Sequence, residues 1–288
     1  MTRLLAAHDV AQAFVAACRL ELSALKPGNV HVHASGHGMQ PSDFERAAEA
    51  AAPHITTPGL PVGTRIRRAV EASFSTVGCN TNLGIVLLCA PLAYTTSEPV
   101  DGEALRDRLA NVLADLSQND AAETFKAIAR ANPGGLGHSE QADVTAPAEI
   151  TLLQAMKIAA DRDRIARAYV TAYADIFEIG LPLYETALRF AETPELAVTT
   201  LHMHYLSRFP DTHIARKFGP ETALHVQNAA RALAPSWQPV ARTMSLPDLL
   251  NFDAQLKAEG INPGTTADFV VATIFTEKLL ALLASPSR

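Results

Sequence analysis

The sequence predicts an all-α fold: a single helical domain over residues 1–288 with one central helix buried on every side. Three observations point to it. Apolar residues recur at three- and four-residue spacing along most of the chain, as in helices that bury one face. Proline or a short polar side chain heads run after run, where a helix leaves N–H groups unpaired. Two-residue alternation bounded by turn residues, the mark of strands, is almost absent. With 48% of its residues hydrophobic, the chain can build a large core, which excludes a disordered protein.

The elements follow in order. Alanines and leucines alternate with polar residues from Val10 to Leu25, and Pro27-Gly28 stops that helix. Asn29 to His33 is the one credible extended stretch. Ser42-Asp43-Phe44-Glu45 reads as a capping box opening a helix to Ala52, and Thr64 caps another that reaches Val77. Leu83 to Ala93 is apolar all round and supplies the buried central helix. Further starts fall at Asp101 and at Asp120-Ala121-Ala122-Glu123, again box-like. Thr193-Pro194-Glu195, Gly219-Pro220-Glu221 and Ser245-Leu246-Pro247-Asp248 each set proline in a first turn, where its missing N–H costs least. The last helix runs from Thr266 to Leu283. The longest irregular stretch, Asn132 to Glu149, has the length at which loops become functional or disordered.

Composition narrows the function. Thirty acidic against 24 basic side chains leave a net charge of −6, with no Lys/Arg block. That argues against a nucleic-acid partner, whose affinity rests on neutralised phosphates. Cys18, Cys79 and Cys89 show no CxxC spacing, so neither a disulfide framework nor a structural zinc site is expected, and a reducing compartment fits. The N-terminus turns polar at His8-Asp9 before a signal-peptide core could form. The apolar run Leu83 to Ala93 falls far short of the ~20 residues that span a bilayer. The expectation is a cytoplasmic protein with a small-molecule partner and no membrane partner; a homo-oligomer stays open.

Five polar junctions interrupt the helices. Lys26-Pro27-Gly28-Asn29-Val30-His31 is either a helix stop with a lysine favoured by the dipole or part of a metal site with His33 and His37, although that spacing matches no standard zinc site. In Gly78-Cys79-Asn80-Thr81-Asn82-Leu83-Gly84, Asn80 or Thr81 is a helix cap, or the free N–H groups there hold an anion. Gly134 to Asp143 sets glycines beside His138, Glu140 and Asp143; it is a solvated loop or a ligand loop, and fits neither a Walker A loop nor a dinucleotide fingerprint. In Phe209 to Gly219, Asp211 caps a short helix or works with Arg216 and Lys217, cations able to neutralise phosphates. His202 and His204, just before it, fall on different helix faces. In Gly260 to Phe269, Thr265 and Asp268 form a capping-box pattern ahead of a very apolar helix, where a partly desolvated carboxylate suits a base or a Mg²⁺ ligand. No serine elbow or cysteine nucleophile motif is present, and His8-Asp9 has no downstream partner pattern, which discounts an HD-type hydrolase.

Taken in this order, from Glu21 to Phe275, the junctions resemble those of the triphosphoribosyl-dephospho-CoA synthase family. The family's Lys-Pro-Gly stretch is matched by Lys26-Pro27-Gly28, and its Met-x-x-x-x-Phe segment by Met39 to Phe44. Asn80-Thr81-Asn82-Leu83-Gly84 stands where the family has Asn-Thr-His-Lys-Gly, and Gly134 to Gln141 resembles its Gly/Arg-rich segment with a glutamate. Asp211-Thr212-His213…Lys217-Phe218-Gly219 resembles Asp-Thr-Asn…Arg-Gly-Gly. Asn262-Pro263-Gly264-Thr265-Thr266-Ala267-Asp268 resembles Ser-Pro-Gly-Gly-x-Ala-Asp.

The resemblance implies an all-helical enzyme that joins ATP to 3′-dephospho-CoA and releases adenine, with Mg²⁺ as cofactor. Its product is the prosthetic-group precursor for the acyl carrier proteins of citrate lyase or malonate decarboxylase. Carried over, it implies Asp211 and Asp268 as Mg²⁺ ligands or base, with Glu140 a third catalytic carboxylate. Lys26, Arg216 and Lys217 would bind phosphates, and Asn29, Asn80, Thr81, Asn82, His138 and His213 would contact substrate. Asn82-Leu83 departs from the family's His-Lys, Lys217 from its arginine and Phe218 from its glycine. Carboxylates persist while several cations do not. Two other readings therefore stand beside the first: the same fold acting on a pterin or furan intermediate of one-carbon carrier (tetrahydromethanopterin or methanofuran) biosynthesis, as in a divergent branch with similar Asn-Thr-Asn and Asn-Pro-Gly-Thr-Thr-Ala-Asp forms, or a non-catalytic binding or assembly protein.

Overall fold

A computed structural model of the chain describes residues 4–32, 38–97, 104–133, 143–238 and 244–285. Their regular structure is all helical, fifteen α-helices and one π-helical turn with no strand. The N-terminal half holds α1 (Ala7–Ser23), α2 (Pro41–Ile55), α3 (Val62–Val77), α4 (Leu83–Thr95), α5 (Leu105–Ala114) and α6 (Gln118–Ala131). Next come α7 (Leu152–Ala159), α8 (Arg164–Val170), the π turn Asp175–Gly180 and α9 (Leu181–Phe190). The remainder is α10 (Pro194–Arg208), α11 (Thr212–Phe218), α12 (Pro220–Ala232), α13 (Ala234–Trp237), α14 (Leu246–Ala258) and α15 (Gly264–Ala284).

The chain folds around α4. Its residues from Ile85 to Ala93 are all buried, so it needs neighbours on every side, and α15, α3, α5 and α2 provide them. α15 is also largely apolar and packs between α4 and α1, which in turn rests on α2 and α10. Pro91 lies inside α4 and lacks the N–H that the Leu87 carbonyl would otherwise receive. The Tyr169 hydroxyl donates to that carbonyl at 2.6 Å, and Tyr173 donates to Leu88 O at 3.1 Å. A second apolar cluster gathers Leu25, Ile214, Val226, Trp237, Leu249 and Phe252. α10 joins the two, with Val198 and Leu201 in the larger cluster and Met203 and Leu206 in the smaller.

Several helix starts differ from the sequence reading, each for a local reason. The box on α2 is formed by Gln40 and Asp43, with Pro41 in the first turn, instead of by Ser42 and Glu45. α3 starts at Val62, ahead of Thr64, because Gly63 N–H donates to Asp120 Oδ1 at 2.7 Å and needs no cap of its own. α6 opens at Ser117, which exchanges capping bonds with Asp120. Asp101 lies outside the described residues, and α5 begins at Leu105. Thr193, by contrast, accepts from Leu196 N–H as a cap, and prolines stand in the first turns of α10, α12 and α14. The expected extended stretch is a turn with a single bridge residue, His31, and His33 falls outside the described residues. The box expected at Thr265 and Asp268 is absent: the helix already starts at Gly264, and the Thr265 hydroxyl accepts the His213 N–H at 3.1 Å. No helix among the described residues is long and apolar enough to cross a membrane.

Candidate functional site

Four of the five junctions meet at the head of α15. From the end of α1, Asn29 Nδ2 donates to Asn262 Oδ1 at 2.8 Å. From the head of α11, the Asp211 carboxylate accepts the Thr266 N–H and hydroxyl at 2.7 and 2.8 Å. From the head of α4, Gly84 approaches so closely that a Cβ there would fall 2.0 Å from Asp268 Oδ2. Only glycine lets that backbone lie on the carboxylate. The His213 ring rests against Gly264, where a Cβ would fall 2.7 Å from Nδ1.

The charged groups here divide by how their bonding capacity is used. Lys26 is fully buried, and its ammonium donates to Glu21, to Asn29 Oδ1 at 3.0 Å and to Val30 O at 2.8 Å. An ammonium has three donors, so all are engaged within the turn. Burial pushes the Lys26 pKa down and the Glu21 pKa up, and the attraction between the two opposes both shifts. Asp211 is equally saturated. Oδ1 caps α11 through His213 N–H and Ile214 N–H at 2.9 and 3.0 Å, while Oδ2 holds Thr266, which together fill the four lone-pair sites of a carboxylate.

Asp268 is the contrast. No hydrogen bond or ion pair reaches its carboxylate among the described residues. Burial first, then the negative charges of Asp211, Glu21 and Asp163, push its pKa well above the ordinary carboxylate range, against the pull of Arg216. A half-buried acid without a protein donor, pressed on the first turn of a buried helix and with its pKa raised, has the character of a functional-site carboxylate.

The other expected residues take distinct places. Asn80 Oδ1 accepts the Leu83 N–H at 3.2 Å, and Asn82 donates to Ser73 Oγ at 3.0 Å from a buried position. Thr81 Oγ1 is buried without a partner. The N–H groups of Leu83 and Val86 are taken by Asn80 and by Asn82 O, which leaves those of Gly84 and Ile85 open at the head of α4. Arg216 lies 3.5 Å from Asp163 Oδ2, whereas Lys217 is exposed and stacks on the Phe218 ring at 5.2 Å, apart from the rest. Glu140, His138 and His37 lie outside the described residues, and Asp143, at the described edge of that junction, bonds Thr145. His31 is buried against Asp253 and Lys257. Among the described residues no group of three or more His, Cys, Asp or Glu is placed to hold a metal ion.

Sequence reasoning passed over Glu21, Gly84, Asp163 and Asn262. Glu21 carried a faint signal, an acid five residues before the lysine; Gly84 and Asn262 stood within the family-like segments but were given no role of their own.

A family model described as ATP:dephospho-CoA triphosphoribosyl transferase matches residues 7–287. A crystal structure from Archaeoglobus fulgidus, provisionally assigned as a triphosphoribosyl-dephospho-CoA synthase, shares the fold at a TM-score of 0.61 and 24% identity, covering 80% of this chain and 95% of that one. No curated protein matches the chain.

Proposed function

Because the chain belongs to the ATP:dephospho-CoA triphosphoribosyl transferase family, we propose that it moves the triphosphoribosyl group of ATP onto a hydroxyl of 3′-dephospho-CoA. The bond between ribose C1′ and adenine breaks, a bond from the acceptor oxygen to C1′ forms, the acceptor loses its proton, and adenine leaves with one. The observation that supports this reading is the donor-free Asp268 carboxylate at the meeting point of α1, α4, α11 and α15. A carboxylate held there can take the acceptor proton, and its charge stabilises the positive character that grows on the ribose as adenine departs. The raised pKa makes the ionised carboxylate a stronger base than an ordinary aspartate. The open N–H groups of Gly84 and Ile85, with Arg216 nearby, suit the retained triphosphate. Asn29 and Asn262, paired at the edge, suit hydroxyl or base recognition.

Mg²⁺ fits this donor set in one place. It binds through one or two carboxylates together with substrate phosphates, so a three-ligand cluster is not required. Asp268 has the lone pairs; ligation by Asp211 requires the release of one of its four bonds. When bound, the ion would neutralise triphosphate charge. Lys26 and Asp211 serve the site by holding the junctions together.

The direct test is adenine release from ATP and 3′-dephospho-CoA by the purified protein with Mg²⁺, followed by chromatography. Release that Asp268→Asn abolishes supports the reading; no release, or equal release from the variant, refutes it. One observation favours a second substrate. Asn82 and Leu83, where the family's cationic pair stands, are both buried, so that phosphate contact is missing. A less charged pterin or furan intermediate would need it less. Stabilisation by pterins with none from dephospho-CoA in a thermal-shift comparison would select that alternative. A non-catalytic role is favoured only if Asp268→Asn leaves cellular function undiminished.

A further inference from the structure

Asp253 stands on α14, far along the chain from the turn it touches, and only 4% of it is exposed. Its Oδ1 accepts the Gly28 N–H at 2.8 Å. Its Oδ2 lies 3.0 Å from Lys257 Nζ and 3.3 Å from His31 Nε2, and that same Nε2 lies 3.1 Å from Lys257 Nζ. One buried carboxylate therefore grips the turn after α1 on both sides of Asn29. Asn29 reaches Asn262, two residues before α15 begins. Gly28, at φ +82°, fits the same wedge without slack: a Cβ there would fall 2.8 Å from Pro263 Cδ and 2.9 Å from Leu256 Cδ1. From α14 through this turn to the head of α15, each contact is direct.

We propose that Asp253 is a positioning residue of the site: it holds the Lys26–Asn29 turn against the head of α15 and so sets where Asp268 stands. This rests on the reading of Asp268 as the reacting group. The rival account is that Asp253 merely balances the half-buried Lys257 charge. Balance needs no bond to Gly28, whereas positioning does, and that difference can be isolated.

Replacing Lys257 with Met removes the cation. In that background Asp253→Asn keeps an acceptor for the Gly28 N–H, and Asp253→Leu removes it; neither leaves a charge unpaired. Hydrogen exchange of the 26–30 and 262–268 segments is then compared. The Leu variant is expected to exchange at least about tenfold faster in both segments, with α2 and α3 unchanged and the Asn variant close to its parent. Equal exchange in the two variants, or a rise confined to α14, overturns the proposal. Should the Leu variant fail to fold, the unaltered protein decides: its Gly28 amide must exchange as slowly as core amides, and rapid exchange there refutes the bond. Adenine release adds the functional arm. The Leu variant is expected to lose kcat by roughly tenfold to a hundredfold with KM for ATP nearly unchanged, the mark of a misplaced reacting group. A loss shared equally with the Asn variant overturns it. If the parent releases no adenine, the proposed reaction fails by itself, while the exchange result still settles the role of Asp253.

Discussion

What a charged residue does in this chain is decided by its donor and acceptor count. Lys26 and Asp211 have every bonding position occupied, and Asp268 has none in use. Substituting Lys26 with Met is expected to destabilise the fold by about 3–5 kcal/mol, because Glu21 is then left buried and unpaired. Adding Glu21→Gln recovers much of that loss, and urea denaturation of the single and double variants measures it. Asp268→Asn should act in the opposite direction on stability. Its folded pKa is raised, so below the unfolded value of about 3.9 there is no penalty, and stability is lost as pH rises through the folded pKa. The Tm of Asp268→Asn is therefore expected to equal that of the parent near pH 4 and to exceed it increasingly above, in scans at fixed ionic strength. A constant offset at all pH values would contradict the cause assigned to the shift. The sequence showed that acids and cations gather at helix breaks, which located the site. It could not show which were saturated, because the partners of Lys26 include the backbone carbonyl of Val30, and two of the four bonds of Asp211 come from Thr266, 55 residues away.

Among the elements, α4 was the most legible and holds the feature least so. An apolar run without a polar face has to be buried on all sides, and it is. That its Leu87 carbonyl, orphaned by Pro91, is answered by Tyr169 depends on a contact across 82 positions, which no local pattern encodes. This pairing predicts a coupled cycle. Tyr169→Phe leaves a buried carbonyl unpaired and is expected to cost about 1–3 kcal/mol. In a Pro91→Ala background the new N–H can bond Leu87 O, so the same Tyr169→Phe change should cost markedly less. Denaturant unfolding of the four proteins gives the coupling, and additive losses would show that the hydroxyl does not serve that carbonyl. Caps were harder to read than helices. Proline heads marked three starts correctly, since proline leaves few alternatives, but the boxes at Gln40 and Ser117 were misplaced by two or three residues because Ser, Asp and Glu recur in both neighbourhoods.

At the scale of the molecule, the candidate site draws on both apolar clusters. Asp268 extends from α15, which belongs to the larger one, while the turn bearing Lys26 leans on α14, part of the smaller. A site assembled in this way keeps its geometry only if the two clusters open together. α10 contributes to both, and the bonds of Asp253 and Asp211 bridge from one to the other, so a single cooperative transition is expected. The chain offers a clean probe. Its one tryptophan, Trp237, lies in the smaller cluster with 3% of its surface exposed, whereas helical circular dichroism is dominated by the larger. Urea curves followed by Trp237 fluorescence and by ellipticity should superimpose with one midpoint and one slope. If the fluorescence moved first, the smaller cluster would be an independent unit. The single domain expected from the sequence would then be two, and the turn carrying Lys26 would sit on a part able to release Asp268 without global unfolding.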